Sequence, residues 1–539
     1  MALVAYLAGR LPVGRSATLA RVLDARWVVV AVFVTTFLVL LWVWGSRNPI
    51  PVIQDELAYV LQAQIFARGR WALPQPALPL FFEQPYVLVQ PTLASKYFPG
   101  HSILLTIGAL AGWMPLLPLV LQSSAAALLV VLSRRVANGA VALLAWVLWL
   151  SSPMVLHFGP SYFSESTTIV CWLGGWYALL RWREERRRHW LVAVAVFTGW
   201  CVLTRPLTGL AYAIPVGVLV LRDVRHRRRW RDLSLAMAAG VVVLALIPLW
   251  SVRTTGDWRV TPLARYTRDY MPFDLPGFGV ITTPPARALN PQFAHLDTVF
   301  RAMHPGHVPA ALPGISLVRA VNLAHSVWGG ARALYPVLVL CALAGLVTLR
   351  GPAAFAVASG VLLFVTYLSF GTAPSWTLYY YESVPACAYL TAAGIGWMAH
   401  VVGARRLPRS DQRLEWRAAR WTPAVVAAAI LLTFPGAATA GANRRALAHQ
   451  RTTMVLFARL RASIPGRRVV LFVRHASWHK PEETFVQNVP DPEMARLLVV
   501  HDRGDEENRR LLALMPDRSP VLFDEARSVA GPYDPQPNH

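Results

Sequence analysis

The chain has 539 residues, of which 55% are hydrophobic and only 15% charged, with a formal charge of +24 and a mean hydropathy of +0.42. Soluble domains carry about 25% charged residues, so this deficit, with repeated apolar runs of about 20 residues, excludes an ordinary water-soluble enzyme and indicates a polytopic membrane protein. The basic residues are almost all Arg, clustered between apolar runs with no aromatic-interleaved basic groove, which excludes nucleic acid as a partner.

Residues 1–26 form a cytoplasmic N-terminal segment. Arg10, Arg15, Arg21 and Arg26, set among Leu11, Val13, Leu19 and Leu23, give the pattern of an interfacial amphipathic helix and hold this end inside. The first apolar run, 27–44, is too long for a signal peptide and lacks a small-residue cleavage site. The first outer loop, 46–101, opens on Gln54-Asp55-Glu56-Leu57-Ala58-Tyr59, where Leu57, Val60, Leu61, Gln64 and Ile65 recur near helical period. It continues through Pro74, Pro76, Pro79, Phe81, Phe82, Pro85 and Tyr86 as a segment lying along the membrane surface. It ends at Lys96-Tyr97-Phe98-Pro99-Gly100-His101, and 102–111 follows as a short apolar helix.

A second span ends at Arg134-Arg135. Further spans are expected near 138–151, 163–180, 190–204, 208–221, 233–252, 334–349, 353–370, 383–402 and 422–440, with a long Pro-rich outer loop over 253–333 and a basic inner segment over 405–420. About eleven transmembrane helices put every strongly basic loop on one side and the C-terminus outside. Cys171, Cys201, Cys341 and Cys387 each lie in an apolar run and read as small buried residues, not disulfides or metal ligands. Residues 441–539 carry more charge. Strands over 469–473, 497–500 and 521–523 and a helix over 505–515 predict a small extracytoplasmic α/β domain, with a disordered tail from Gly531. The expected fold is thus an α-helical polytopic membrane protein over 27–440 with this domain appended.

Asp55 and Glu56 are the first candidates for chemistry. An Asp that opens a helix caps a backbone N–H, and a Glu in the first turn suits the dipole. Carboxylates at the lip of a membrane helix are also costly and apt to be functional. One of them can act as a general base toward an acceptor hydroxyl or amine. Helical neighbours point about 100° apart, so Asp55 is the expected base and Glu56 its support or an acceptor ligand. Lys96, one of two lysines, is either a snorkelling cation or a point charge for a phosphate. Arg205, between two spans at membrane depth, is a second phosphate candidate or a cap and anchor. Glu165 either pairs with Arg205 or binds the acceptor. Asp55, His101, His157 and Glu165 show no HxxxH or DxD spacing, so no metal is assigned, and a divalent ion stays possible but unsupported. Asp269, Asp274, Asp297, His304 and His307 are acceptor-side candidates in the long loop.

The order of these motifs resembles the GT-C superfamily of membrane glycosyltransferases, in particular the protein O-mannosyltransferases (glycosyltransferase family 39) and the aminoarabinose transferases that modify lipid A. The residues that carry it are Asp55-Glu56 with Tyr59, Lys96-Tyr97 with Pro99-Gly100, Ser164-Glu165-Ser166, Thr204-Arg205-Pro206, the run from Arg253 to Asp257, and Tyr379-Tyr380-Tyr381-Glu382. The resemblance implies a GT-C-like membrane domain that moves one sugar from a polyprenyl-phosphate donor to a lipid, glycan or protein acceptor, outside the cytoplasmic membrane, with the catalytic acid residue at Asp55. Tyr59, Glu165, Tyr380 and Tyr381 are the acceptor or sugar candidates, and the tyrosines at 379–381 read equally as part of the interfacial aromatic belt. Leu378 stands where the family commonly has a basic residue, which shifts phosphate binding onto Lys96 and Arg205. The rival readings are a flippase of lipid-linked sugars, which predicts charged residues near mid-span and broken helices, and a non-catalytic membrane scaffold.

Overall fold

The computed structural model describes residues 13–46, 49–279, 281–331, 333–404, 414–466, 468–480, 483–492 and 494–534. The chain forms two compact units. One comprises Met1–Arg47, Leu116–Leu244 and Pro309–Ala446; the other comprises Asn48–Pro115, Ala245–Val308 and Leu447–His539.

The first unit is helical. Its apolar runs form the helices Arg26–Trp44, Leu116–Val136, Gly139–Leu150, Glu165–Glu185, Arg188–Thr204, Pro206–Arg227, Trp230–Leu244, Tyr335–Gly345, Pro352–Tyr367 and Val384–Ala404, and Leu414–Gln450 runs to its end. Local signals set the boundaries. Asn138 caps Gly139–Leu150 by accepting the Val141 amide at 2.9 Å. Pro206 sits at the first turn of its helix, where its missing N–H costs nothing. Helices Tyr335–Gly345 and Val384–Ala404 meet backbone to backbone, because a Cβ at Gly345 or Gly394 would overlap the carbonyls of Leu390 or Cys341.

Six helices among the described residues are long and apolar enough to cross a membrane, or seven if the pair Pro309–Ala331 and Tyr335–Thr348, bent by 115°, is one span. This is a multi-pass membrane protein. The expected count of eleven includes Gly139–Leu150, Arg188–Thr204 and Pro352–Tyr367, of 12, 17 and 16 residues. At 1.5 Å per residue these span about 18–26 Å, short of a hydrocarbon core of about 30 Å. On helix Trp230–Leu244, Val241 and Val242 are 64% and 70% exposed, as a lipid-facing surface requires.

Two expectations change here. The segment 253–333 is not a plain loop: it holds the helices Pro262–Tyr270, Pro291–Arg301 and Leu312–Trp328. Its prolines mark helix starts, since each of these helices carries Pro in its first two positions. The 115° bend is also a broken helix, where the sequence reading placed the end of a loop and a separate span near 334–349. Of the N-terminal segment, Val13–Asp24 is helical; Arg10 and Leu11 lie outside the described residues, as do 405–413 of the inner basic segment.

The second unit contains two sheets. Strands β1 (Leu73–Pro74), β2 (Val87–Leu88) and β3 (Thr92–Ser95) form a small antiparallel sheet in the order β1-β3-β2. Strands β4 (Val469–Arg474), β5 (Leu497–His501), β6 (Ser519–Asp524) and β7 (Val529–Pro532) form the order β5-β4-β6-β7, parallel except for the last pair. Helix Asp505–Ala513 connects β5 to β6. β7 takes Gly531 and Pro532 into the sheet, so the tail begins later than expected; 535–539 lie outside the described residues.

β4 is apolar on both faces, which requires cover on each. Alternation sends Val469, Leu471 and Val473 toward Val52, Met454, Phe457 and Phe485. Val470 and Phe472 turn to the other side, against Phe81, Phe82, Val89, Leu498, Val500 and Leu511. The C-terminal strands therefore share cores with the segment after the first span, and the boundary falls at Leu447 within helix Leu414–Gln450, not at residue 441.

Candidate functional site

Helix Gln54–Ala67 starts after an extended Ile53. Glu56, not Asp55, does the capping: its Oε2 accepts the Val52 amide at 3.2 Å and the Ile53 amide at 3.4 Å. The Asp55 Oδ1 accepts the Tyr97 hydroxyl at 2.5 Å. The Tyr97 ring stacks on Tyr59 at 4.6 Å between centroids, and His101 meets Tyr59 edge-on at 5.0 Å. Burial, and then the neighbouring Asp55 charge, push the Tyr97 phenol well above its ordinary value, so it stays a donor to the carboxylate.

Strand β3 hands the chain to Lys96, whose amide donates to the Tyr86 carbonyl at 2.9 Å. Lys96 is 4% exposed and does not snorkel. Its ammonium lies 3.9 Å from the centroid of the Tyr86 ring and 5.0 Å from that of Tyr266, and its Nζ is 3.3 Å from Asp274 Oδ2. Tyr86 has a left-handed backbone (φ 66°), with its amide donating to the Tyr266 hydroxyl at 2.9 Å. Strain of this kind collects at functional sites. Asp55, Tyr97, Lys96 and Asp274 thus form one cluster of carboxylates, a phenol and an ammonium. Asp269 and Asp297 instead pair locally, with Arg265 and Arg268 and with Arg301.

A second polar network in this unit is not evident in the sequence. Glu83, 1% exposed, accepts from Tyr270 at 3.2 Å and from Asn290 at 3.0 Å, while Arg287 donates to the Tyr270 hydroxyl at 2.7 Å and to Gln90 at 2.8 Å. Burial raises the Glu83 carboxyl, and Arg287 opposes this in part. Glu83→Gln keeps the shape and an acceptor oxygen for its buried donors, so it is expected to change stability by less than about 1 kcal/mol. Glu83→Ala, which leaves buried partners without an acceptor, is expected to cost about 1–3 kcal/mol. Thermal unfolding of the purified variants in detergent checks the contrast.

In the first unit, Arg205 joins helices Arg188–Thr204 and Pro206–Arg227 and forms an ion pair with Glu165. Its guanidinium also donates to the Tyr367 hydroxyl at 3.3 Å and lies 5.6 Å from the Tyr379 ring centroid. Of the two readings of Glu165, the structure shows the pairing. Tyr380 and Tyr381 are 2% and 0% exposed; Arg319 donates to the Tyr380 hydroxyl at 3.3 Å, and Tyr381 donates to Gln122 at 2.9 Å. Glu382 accepts from Thr168. Arg319, buried on Leu312–Trp328, donates to the carbonyls of Tyr367, Phe370 and Thr372. A lone cation in the apolar run before Trp328 was the signal for it; the reading of 253–333 as a loop hid it. Asp55 and His101 belong to one unit and His157 and Glu165 to the other. The three-residue group among the described residues that could hold a metal is His475, His479 and Glu525.

Residues 102–251 match the family described as dolichyl-phosphate-mannose-protein mannosyltransferase. That match covers under a third of the chain. No curated protein matches it. Among solved structures, the arabinosyltransferase EmbB from Mycobacterium smegmatis is similar at 16% identity and a TM-score of 0.42, over 69% of this chain and 30% of that one. The apo oligosaccharyltransferase of Archaeoglobus fulgidus is similar at 12% identity and 0.44, over 93% and 70%. The same archaeal enzyme, AglB, with an inhibitory peptide and a dolichol-phosphate gives 12% and 0.40, over 92% and 69%. This chain therefore spans under a third of the length of the arabinosyltransferase, and scores at this level carry no conclusion about donor or acceptor.

Proposed function

We propose that this chain is a GT-C glycosyltransferase that moves a monosaccharide from a polyprenyl-phosphate carrier to a lipid, glycan or protein acceptor on the outer face of the cytoplasmic membrane, with Asp55 as general base. The observation that carries this reading is the Asp55–Tyr97–Lys96 cluster. The Asp55 carboxylate accepts the Tyr97 hydroxyl, and a compact cation stands one residue from that hydroxyl partner. The acceptor O–H or N–H loses its proton to Asp55 as the acceptor atom attacks C1 of the sugar. The C1–O bond to the phosphate breaks, the anomeric centre inverts, and polyprenyl phosphate leaves with the bonding pair. Lys96 supplies positive charge for that phosphate in exchange for its contact with Asp274. Tyr59, 4% exposed and stacked on Tyr97, holds that phenol in place.

The bent pair Pro309–Ala331 and Tyr335–Thr348, with Arg319 buried in the helix Leu312–Trp328, favours a flippase. One assay separates the two. Purified protein in liposomes is given a radiolabelled polyprenyl-phosphate monosaccharide, with and without an envelope lipid extract as acceptor. Label is expected to leave the polyprenyl carrier only when acceptor is present. Acceptor-independent movement of intact donor between leaflets, without transfer, overturns the glycosyltransferase reading in favour of transport.

A further inference from the structure

Three neighbouring parallel strands end in ligand-type residues at one edge of the C-terminal sheet. β5 ends in His501, β4 is followed by His475, and β6 is followed by Glu525. The carboxyl edge of a parallel sheet is where open α/β sheets bind ligands. The turn after β4 adds His479, four residues beyond His475. His479 Nδ1 lies 2.8 Å from Glu525 Oε1, and His475 Nδ1 lies 3.5 Å from Glu525 Oε2. The three ligand atoms lie within 4.8 Å of one another. Tetrahedral zinc with bonds of 2.0–2.1 Å separates its ligands by about 3.3 Å, so small rotations close the set.

Hydrogen bonding fixes which nitrogen of His475 faces inward. His501 Nε2 lies 2.6 Å from the Glu83 carbonyl, which only accepts, so that nitrogen carries the hydrogen. Neutral His501 then presents Nδ1 as an acceptor to His475 Nε2 at 3.3 Å, and His475 Nε2 is the donor. The remaining nitrogen, His475 Nδ1, is left with its lone pair toward the Glu525 carboxylate, buried and without a hydrogen-bond partner. A proton or a metal ion placed between the two satisfies both, and the second imidazole, His479, on the same carboxylate makes the place suited to a metal ion. His501 and the Glu83 carbonyl form the outer hydrogen-bonded chain that orients a metal-ligating imidazole.

We propose that His475, His479 and Glu525 bind one divalent transition-metal ion of the zinc class, with a fourth position left for water or another ligand. Two imidazoles and one carboxylate suit such an ion better than magnesium or calcium. The ion ties the end of β4 to the end of β6. It is separate from the Asp55 cluster and does not depend on the glycosyltransferase reading.

The full-length protein, purified in detergent without a polyhistidine tag and stripped with a chelator, is titrated with Zn²⁺ and its metal content measured. We expect one equivalent per chain, a rise in Tm on loading, and affinity weakened at least ~10-fold in His479→Ala and in Glu525→Gln. Asp55→Ala is expected to keep the full equivalent. X-ray absorption of the loaded wild-type protein, which needs no variant to fold, is expected to show a nitrogen and oxygen shell with imidazole scattering. Any one of three results overturns the site: no bound zinc, wild-type affinity in both ligand variants, or a shell with sulfur or without imidazole. Loss of the equivalent in Asp55→Ala with retention in His479→Ala moves the metal elsewhere and also overturns it.

Discussion

Asp55→Asn is expected to lower the turnover of sugar transfer by about 10²- to 10⁴-fold, the range for loss of a positioned general base, with the folded protein unchanged. The fold should survive for a local reason. The amide Oδ1 of Asn still accepts the Tyr97 hydroxyl, and the helix start is held by Glu56 through the Val52 and Ile53 amides. What Asn lacks is a lone pair basic enough to take the acceptor proton. Glu56→Gln supplies the complementary arm. Its amide oxygen still reaches the two capping N–H groups, so stability is expected to fall by no more than about 1 kcal/mol and transfer to stay near wild type. Turnover by labelled-donor assay and Tm on the same preparations decide the matter. An Asp55→Asn protein that folds and keeps wild-type turnover removes Asp55 from the reaction; a Glu56→Gln protein that folds but transfers nothing gives the base role to Glu56.

Arg205→Ala is expected to destabilise the helical unit by about 3–5 kcal/mol, because it strands a buried carboxylate. Glu165 is 1% exposed and its charge partner is Arg205. The double change Arg205→Met with Glu165→Leu removes both charges and keeps apolar volume, so most of that loss should be recovered. Thermal unfolding of the two single variants and the double variant gives the coupling directly. Equal losses in the double variant and in Arg205→Ala would show that the ion pair is not what matters at this position. The same stable double variant tests the phosphate role proposed for Arg205. If it folds and still transfers, the donor phosphate is held without Arg205; if it folds and is inactive, the Arg205–Glu165 pair serves the reaction.

Much of this was visible in the residues. The apolar runs became helices, because a stretch such as 27–44 has no other way to satisfy its backbone in lipid. The acid pair at Asp55-Glu56 marked the helix start, and alternation-free apolar runs at 469–473 and 497–500 marked doubly covered parallel strands. The failures have specific causes. Prolines in 253–333 signalled helix starts as well as turns, which concealed the helix carrying Arg319. His475 and His479 have the spacing sought in vain around Asp55, but their partner Glu525 is 46 residues further on and arrives only through strand pairing. Glu83 and Arg287 share the Tyr270 hydroxyl across an even longer separation in sequence.

The sequence by itself determined the membrane class, the helices and the residue types available for chemistry, because hydropathy, period and capping act between near neighbours. Only the tertiary structure decided which acid at 55 and 56 caps and which faces Tyr97, that Lys96 is caged by tyrosines and Asp274, that Glu165 pairs with Arg205, and that the last strands share their cores with the segment after the first span. Those choices depend on contacts between residues up to several hundred positions apart. Such contacts are set by which buried charge and which apolar face finds a partner, and no local pattern in the chain encodes that.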